Sequence, residues 1–239
     1  MKKIVRLLSL SIVSLMLSSC GAWYFAKPVD APLLDGKGDF RATVSMSTID
    51  ILPAAFNGAV SYALTDHIGA QAFGAWYNDN DYYAHVAGGY YTHLSKYFVL
   101  EFYAGGGVGK SLNAGAKDPA KLDTDCPNAV WFDYNQFFGQ LDLGWRNLPF
   151  LNTDLGLGLR GGMMPYTLHV TDRDGQVLYD HEKGRIPLFE PVAFLRFGFP
   201  NLKFQFSVTY CSLVSFHSQL HDKVNASPFS IQGGICLDL

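Results

Sequence analysis

From Phe40 to the C-terminus the chain alternates with period two, and this regularity restricts the fold more than any other feature. Phe40, Ala42, Val44 and Met46 alternate with Arg41, Thr43 and Ser45. Phe56, Gly58, Val60, Tyr62 and Leu64 then alternate with Asn57, Ala59, Ser61 and Ala63. Eight more such segments contain Ile68, Tyr82, Phe98, Phe137, Leu155, Ala193, Phe204 and Phe229. Alternation of this kind places successive side chains on opposite faces of an extended strand. Short turn signals separate some segments: Thr65-Asp66-His67, Asn78 to Asp81, Ser95-Lys96, Asn147 to Asn152 and Pro200-Asn201. Longer polar stretches, about 110–129, 171–186 and 213–226, separate others. The connections alternate between short and long, and the number of segments is even. The pattern predicts an all-β fold: an antiparallel up-and-down β-barrel of about ten strands.

The two faces differ in kind. One set is bulky and apolar, rich in Phe, Leu, Tyr and Trp, and carries no charged residue on any strand. The other is mostly Gly, Ala, Ser, Thr, Gln and Tyr, with few lysines. A small barrel has an interior just wide enough for side chains to fill, so the bulky set does not fit inside. Charged residues make up 16% of the chain against about a quarter in typical soluble domains. The apolar set therefore faces lipid, where a Lys or Arg at the midplane costs about 2–4 kcal/mol. Phe206 and Leu195 are predicted to face lipid, and Gln205 and Arg196 the lumen. Tyr62, Trp76, Tyr82, Tyr90, Trp145 and Tyr210 stand near strand ends, where aromatic girdles form.

This pattern, over residues 37–239, resembles the small outer-membrane β-barrel proteins of Gram-negative bacteria. The resemblance implies a transmembrane barrel inserted by the barrel assembly machinery, monomeric, and surrounded by outer-membrane lipids and lipopolysaccharide. It implies periplasmic N- and C-termini and extracellular long loops. Many members end on Phe; this chain ends on Leu239.

The N-terminus, MKKIVRLLSLSIVSLMLSSC, has a basic front and a short apolar run, which reads as a secretory signal peptide over residues 1–19. Its end, Leu17-Ser18-Ser19-Cys20, resembles the lipobox of bacterial lipoproteins. That resemblance implies cleavage before Cys20 and lipidation of Cys20, leaving residues 20–36 as a short lipidated linker. The alternative is an ordinary signal cleaved after Ala22. Removing the signal takes three of the 18 basic residues and leaves 15 against 21 acidic ones. An acidic chain without a basic cluster argues against nucleic acid as a partner.

Residues 104–111, AGGGVGKS, fit the phosphate-binding loop pattern, but no amphipathic helix follows them. The glycines read instead as a thin stretch of lumen wall, and neither a nucleotide nor another cofactor is expected. The charged lumen candidates are Glu101, Asp142, Arg160, Glu190 and Arg196, which Arg41 can join. Glu190 is positioned to pair with Arg160, and Asp142 to face Arg196. They read as a structural ion-pair plug, since buried charges need partners; the alternative is a polar gate. Ser215, His217, Ser218, His221 and Asp222 cluster in the last loop, and Asp180-His181-Glu182 in another, but no family motif surrounds them. No catalytic or metal residue is assigned. After Cys20 three cysteines remain, Cys126, Cys211 and Cys236, which permit a Cys126–Cys211 disulfide or three free thiols. The expected role is structural or surface-binding. The alternatives are a small pore, or an outer-membrane hydrolase or acyltransferase acting on lipid.

Overall fold

The computed structural model describes Tyr24–Phe25 and residues 27–49, 52–78, 81–114, 129–171, 176–213, 226–227 and 229–239. The signal segment, Cys20, Cys126 and the Ser215–Asp222 cluster lie outside the described residues. Ten strands form one closed antiparallel sheet. They are β1 (Phe40–Ile49), β2 (Leu52–Ala63), β3 (Ile68–Asn78), β4 (Asp81–His93) and β5 (Phe98–Ala114). The others are β6 (Ala129–Leu148), β7 (Thr153–Thr171), β8 (Val177–Phe199), β9 (Leu202–Tyr210, resuming at Ser212–Leu213) and β10 (Phe229–Asp238). Each strand pairs with its neighbours in sequence. β10 closes on β1, with Ile231 opposite Thr48 and Asp238 opposite Arg41. Closure leaves no unpaired sheet edge, which is the condition for a sheet to stand in lipid.

The turns that join the strands at one end are short. At the β2–β3 turn the Thr65 hydroxyl accepts the His67 and Ile68 amides at 3.2 and 2.9 Å. Pro53 cannot donate to the ladder, and the β1–β2 register shifts beside it, between Ser47 and Thr48. We refer to the end with these turns as the turn end and to the opposite one as the loop end.

The outward face is the apolar set. Phe206 is 51% exposed and Leu195 41%, while Gln205 and Arg196 are buried. The belt has no charged residue from β1 round to β10 at the heights of Phe56, Val86, Phe102, Phe137, Leu157, Phe206 and Ile231. Leu239 ends the chain on the same outward face, 61% exposed.

One side of the barrel is much taller than the sequence pattern suggests. Strands β5 to β8 have 17, 20, 19 and 23 residues, whereas about 9–11 cross a bilayer. Within the stretches 110–129 and 171–186, expected as loops, residues 110–114, 129, 171 and 177–186 are strand. The alternation continues there but exchanges its faces. On β6, Phe137, Leu141 and Leu143 point outward, yet further up Asp133 and Asn135 point outward while Phe132 and Tyr134 are buried. On β8, Lys183 and Arg185 point outward above Phe189. A wall that leaves hydrocarbon and enters water must exchange its faces in this way. The eight residues of β6 above Phe137 rise about 20 Å, given about 3.3 Å per residue and a tilt of about 40°. Inside this upper part Phe132, Tyr134, Met164, Tyr166, Leu168, Ile186 and Leu188 form an apolar core. Tyr134 and Tyr166 lie flat against Gly109 and Gly184. A Cβ added at either glycine would stand 2.2 or 2.3 Å from the facing ring or its hydroxyl.

The segment before β1 is not a linker outside the barrel. Lys27, Val29, Asp30, Ala31, Leu33 and Leu34 are all buried within it. The segment rises from Gly38, whose amide bonds Ala63 at the turn end, to Tyr24–Phe25, which pairs with Ala226–Ser227 at the loop end. Tyr24 lies at the loop end and Leu239 at the turn end. The sequence pattern begins at Phe40 and carries no sign of what precedes it.

Candidate functional site

The lumen has three levels, and the N-terminal segment contacts the wall at each. At the turn end three cations and three carboxylates form a closed set. Arg41 reaches Asp238 at 2.8 Å and Asp154 at 3.6 Å. Arg146 bonds Asp238 at 3.0 Å and pairs with Asp39. Lys203 bonds Asp154 at 2.7 Å. Arg146 also donates to the Leu33 carbonyl at 2.8 Å, and Arg41 donates to that of Pro32. Charges buried in this way need such partners to remain charged.

Glu101 on β5 holds the next level. Leu33 has φ 54°, a left-handed conformation rare for a branched residue. It turns two successive amides the same way, forming a small anion-binding nest. Both amides donate to Glu101: Leu33 to Oε2 and Leu34 to Oε1, each at 2.8 Å. Arg196 on β8 donates to the Ala31 carbonyl at 2.7 Å and to Asp30 Oδ1 at 3.2 Å. Gln205 orients Arg196 by accepting from its Nε at 2.6 Å. Gln140 on β6 donates to the Asp30 carbonyl and to Asp142, both at 2.8 Å, and accepts two bonds from Arg160.

At the top of the lumen Tyr24 donates to Glu190 at 2.9 Å. Arg160 stands 4.0 Å from the other Glu190 oxygen. The Lys27 ammonium lies over the Tyr77 ring, 4.1 Å from its centre.

All five charged residues expected in the lumen are there and fully buried. Arg160 and Glu190 are brought together. Glu101 and Asp142 stand opposite each other in register. Asp142 and Arg196 do not meet: Asp142 binds Gln140, and Arg196 binds Asp30, Ala31 and Gln205. The sequence pattern missed the main partner of these groups, the backbone of residues 30–34. Alternation carries no signal for it, because the partners are backbone groups of a segment that does not alternate.

Wall side chains thus hold residues 30–34 by their backbone amides and carbonyls inside the barrel. Cys211 and Cys236 are buried free thiols. Of the polar loop clusters, Asp180 and His181 lie on β8 near the loop end, on the outer surface. Hydrogen bonds from His181 and His169 hold the Asp180 carboxyl below the usual carboxylate range.

No family model matches the chain, and no curated protein matches it. Solved structures do. The outer membrane protease OmpT from Escherichia coli aligns with a TM-score of 0.51 at 10% identity, over 85% of this chain and 94% of that one. The N-terminal β-barrel domain of Pseudomonas aeruginosa OprF aligns at 9% identity over 86% of this chain and all of that one, with a TM-score of 0.33. The attachment invasion locus protein Ail of Yersinia pestis aligns at 12% identity over 86% of this chain and all of that one, with a TM-score of 0.25. At 10% identity the likeness to OmpT is one of fold: a closed outer-membrane-type barrel.

Proposed function

We propose that the protein is a non-conducting outer-membrane barrel lipoprotein whose tall loop-end wall has a structural or surface-binding role. The observation that supports this is the lumen filled by the protein's own chain, from the Glu101 level to Glu190. The apolar belt supports a bilayer setting, with the short turns periplasmic, the long connections extracellular, and lipopolysaccharide against the outer part of the belt. Residues 1–19 act as the signal peptide and Cys20 carries the acyl chains. Four Cα steps separate Cys20 from Tyr24, a reach of at most about 14 Å. In this reading the processed N-terminus lies with the extracellular loops and not in the periplasm. Planar-bilayer recording tests the main claim. Purified protein should give no steady conductance, and stable single-channel steps from the wild type would replace this reading with the small pore.

A further inference from the structure

On β7 His169 is half-exposed on the outer face of the tall wall, opposite Trp131 of β6 in register. Its other neighbour, β8, is bulged there. Leu168 pairs with Glu182 and Val170 with Tyr179, so His169 faces two residues, Asp180 and His181, where a regular ladder would offer one. His181 has φ 52°. Bulges re-aim side chains, and a non-glycine residue held at positive φ costs energy that regular pairing would avoid. Here the bulge turns both side chains toward His169. His169 Nδ1 lies 3.0 Å from Asp180 Oδ1, and His181 Nδ1 bonds the same oxygen. One donor atom from each residue lies within 4.8 Å of the other two.

We propose that His169, Asp180 and His181 form a divalent transition-metal site on the outer face of the β7–β8 wall. A tetrahedral zinc ion takes imidazole nitrogen and carboxylate oxygen at about 2.0–2.2 Å, which places its donors about 3.3 Å from one another. The three donor atoms already lie within 4.8 Å of one another, close to that spacing. Two imidazoles and one carboxylate suit zinc, nickel or copper, whereas calcium and magnesium take oxygen ligands. Three protein donors leave a fourth position to water or to a group from outside. The site opens to solvent: the Asp180 and His181 side chains are 66% and 75% exposed. The Trp131 ring meets the His169 ring edge to face at 5.1 Å and limits its rotation.

The test uses full-length protein, purified in detergent without a polyhistidine tag and titrated with Zn2+ by calorimetry. One ion per chain is expected at neutral pH, with no competition from Mg2+ or Ca2+. The double variant His169→Ala/His181→Ala should lower the affinity more than about tenfold while keeping heat-modifiable gel mobility, which reports an intact barrel. Cu2+ added to the wild type should show nitrogen hyperfine structure in its electron paramagnetic resonance spectrum. Absence of zinc binding, unchanged affinity in the double variant, or a copper spectrum without nitrogen coupling each overturns the proposal.

Discussion

Replacing Glu101 with Gln tests whether the wall truly holds the N-terminal segment. The carboxylate receives two amides, Leu33 and Leu34, each at 2.8 Å, in a site with no solvent exposure. Hydrogen bonds to charged groups contribute about 1.5–3 kcal/mol each. In the Glu101→Gln variant the side-chain oxygen still accepts an amide, though as a neutral acceptor with roughly half the strength. The other position becomes an NH2 group that meets a donor with a donor. Relief of repulsion with Asp142, opposite in register, offsets part of this. A net loss of about 2–3 kcal/mol remains. At about 1.4 kcal/mol per decade, local opening becomes about 30- to 150-fold more frequent. Hydrogen exchange followed by mass spectrometry reads this directly. Peptides covering residues 27–36 should exchange faster by that factor in the variant, while peptides from β3 and β9 stay unchanged. If residues 27–36 exchange within seconds in the wild type, or at equal rates in both proteins, the segment is not clamped by Glu101 and the argument fails.

Three further outcomes follow from the same structure. Cysteine at Phe206 carrying a fluorophore should be quenched by brominated lipid, and cysteine at Gln205 should not; equal behaviour would remove the lipid-facing assignment. Gly109→Val should destabilise the upper wall by a few kcal/mol, since its Cβ would strike the Tyr134 ring, 2.2 Å away. Gly58→Ala, with nothing near its Cβ, should leave the thermal midpoint of gel mobility unchanged. A protease site inserted between Cys20 and Tyr24 should be cut by protease added to intact cells, whereas one inserted at Thr65–His67 should be cut only after the outer membrane is opened. The reverse pattern would place the N-terminus in the periplasm.

The barrel could be read from the sequence because lipid imposes a strict rule on it. Within the belt the outward positions are apolar or small, and most inward ones are small or polar, with a few buried aromatics such as Tyr103, Phe138 and Phe194, so alternation carries the fold. The rule weakens where the surroundings change. Above Phe137 the outward residues become Asp133 and Asn135, and a reading that follows one face of apolar residues takes the change of face for a loop. The lumen network was legible as a set of charges and not as a site. Glu101 and Arg196 reveal by type that they need partners, but the partners are backbone amides and carbonyls of residues 30–34, and backbone groups leave no mark in sequence. The His169 cluster depends on a bulge that brings residues 180 and 181 opposite 169, a register that alternation alone does not set.

The contacts of the N-terminal segment also bear on how the barrel forms. They come from β1 through Arg41, from β5 through Glu101, from β6 through Gln140 and Arg146, and from β8 through Glu190 and Arg196. Arg41 and Arg146 also bond Asp238 on β10, so this clamp spans the β10–β1 seam. A small barrel interior packed with side chains offers no free path for a peptide to be threaded after closure. The segment is therefore expected to be in place before β10 meets β1. Until then Glu101 lacks its two amide donors and Arg196 lacks Asp30 and the Ala31 carbonyl, and an early closure would seal poorly paired charge inside the wall. The segment buried in the lumen also supplies the partners of Glu101 and Arg196, which is why it belongs to the core of the barrel and not to its appendages.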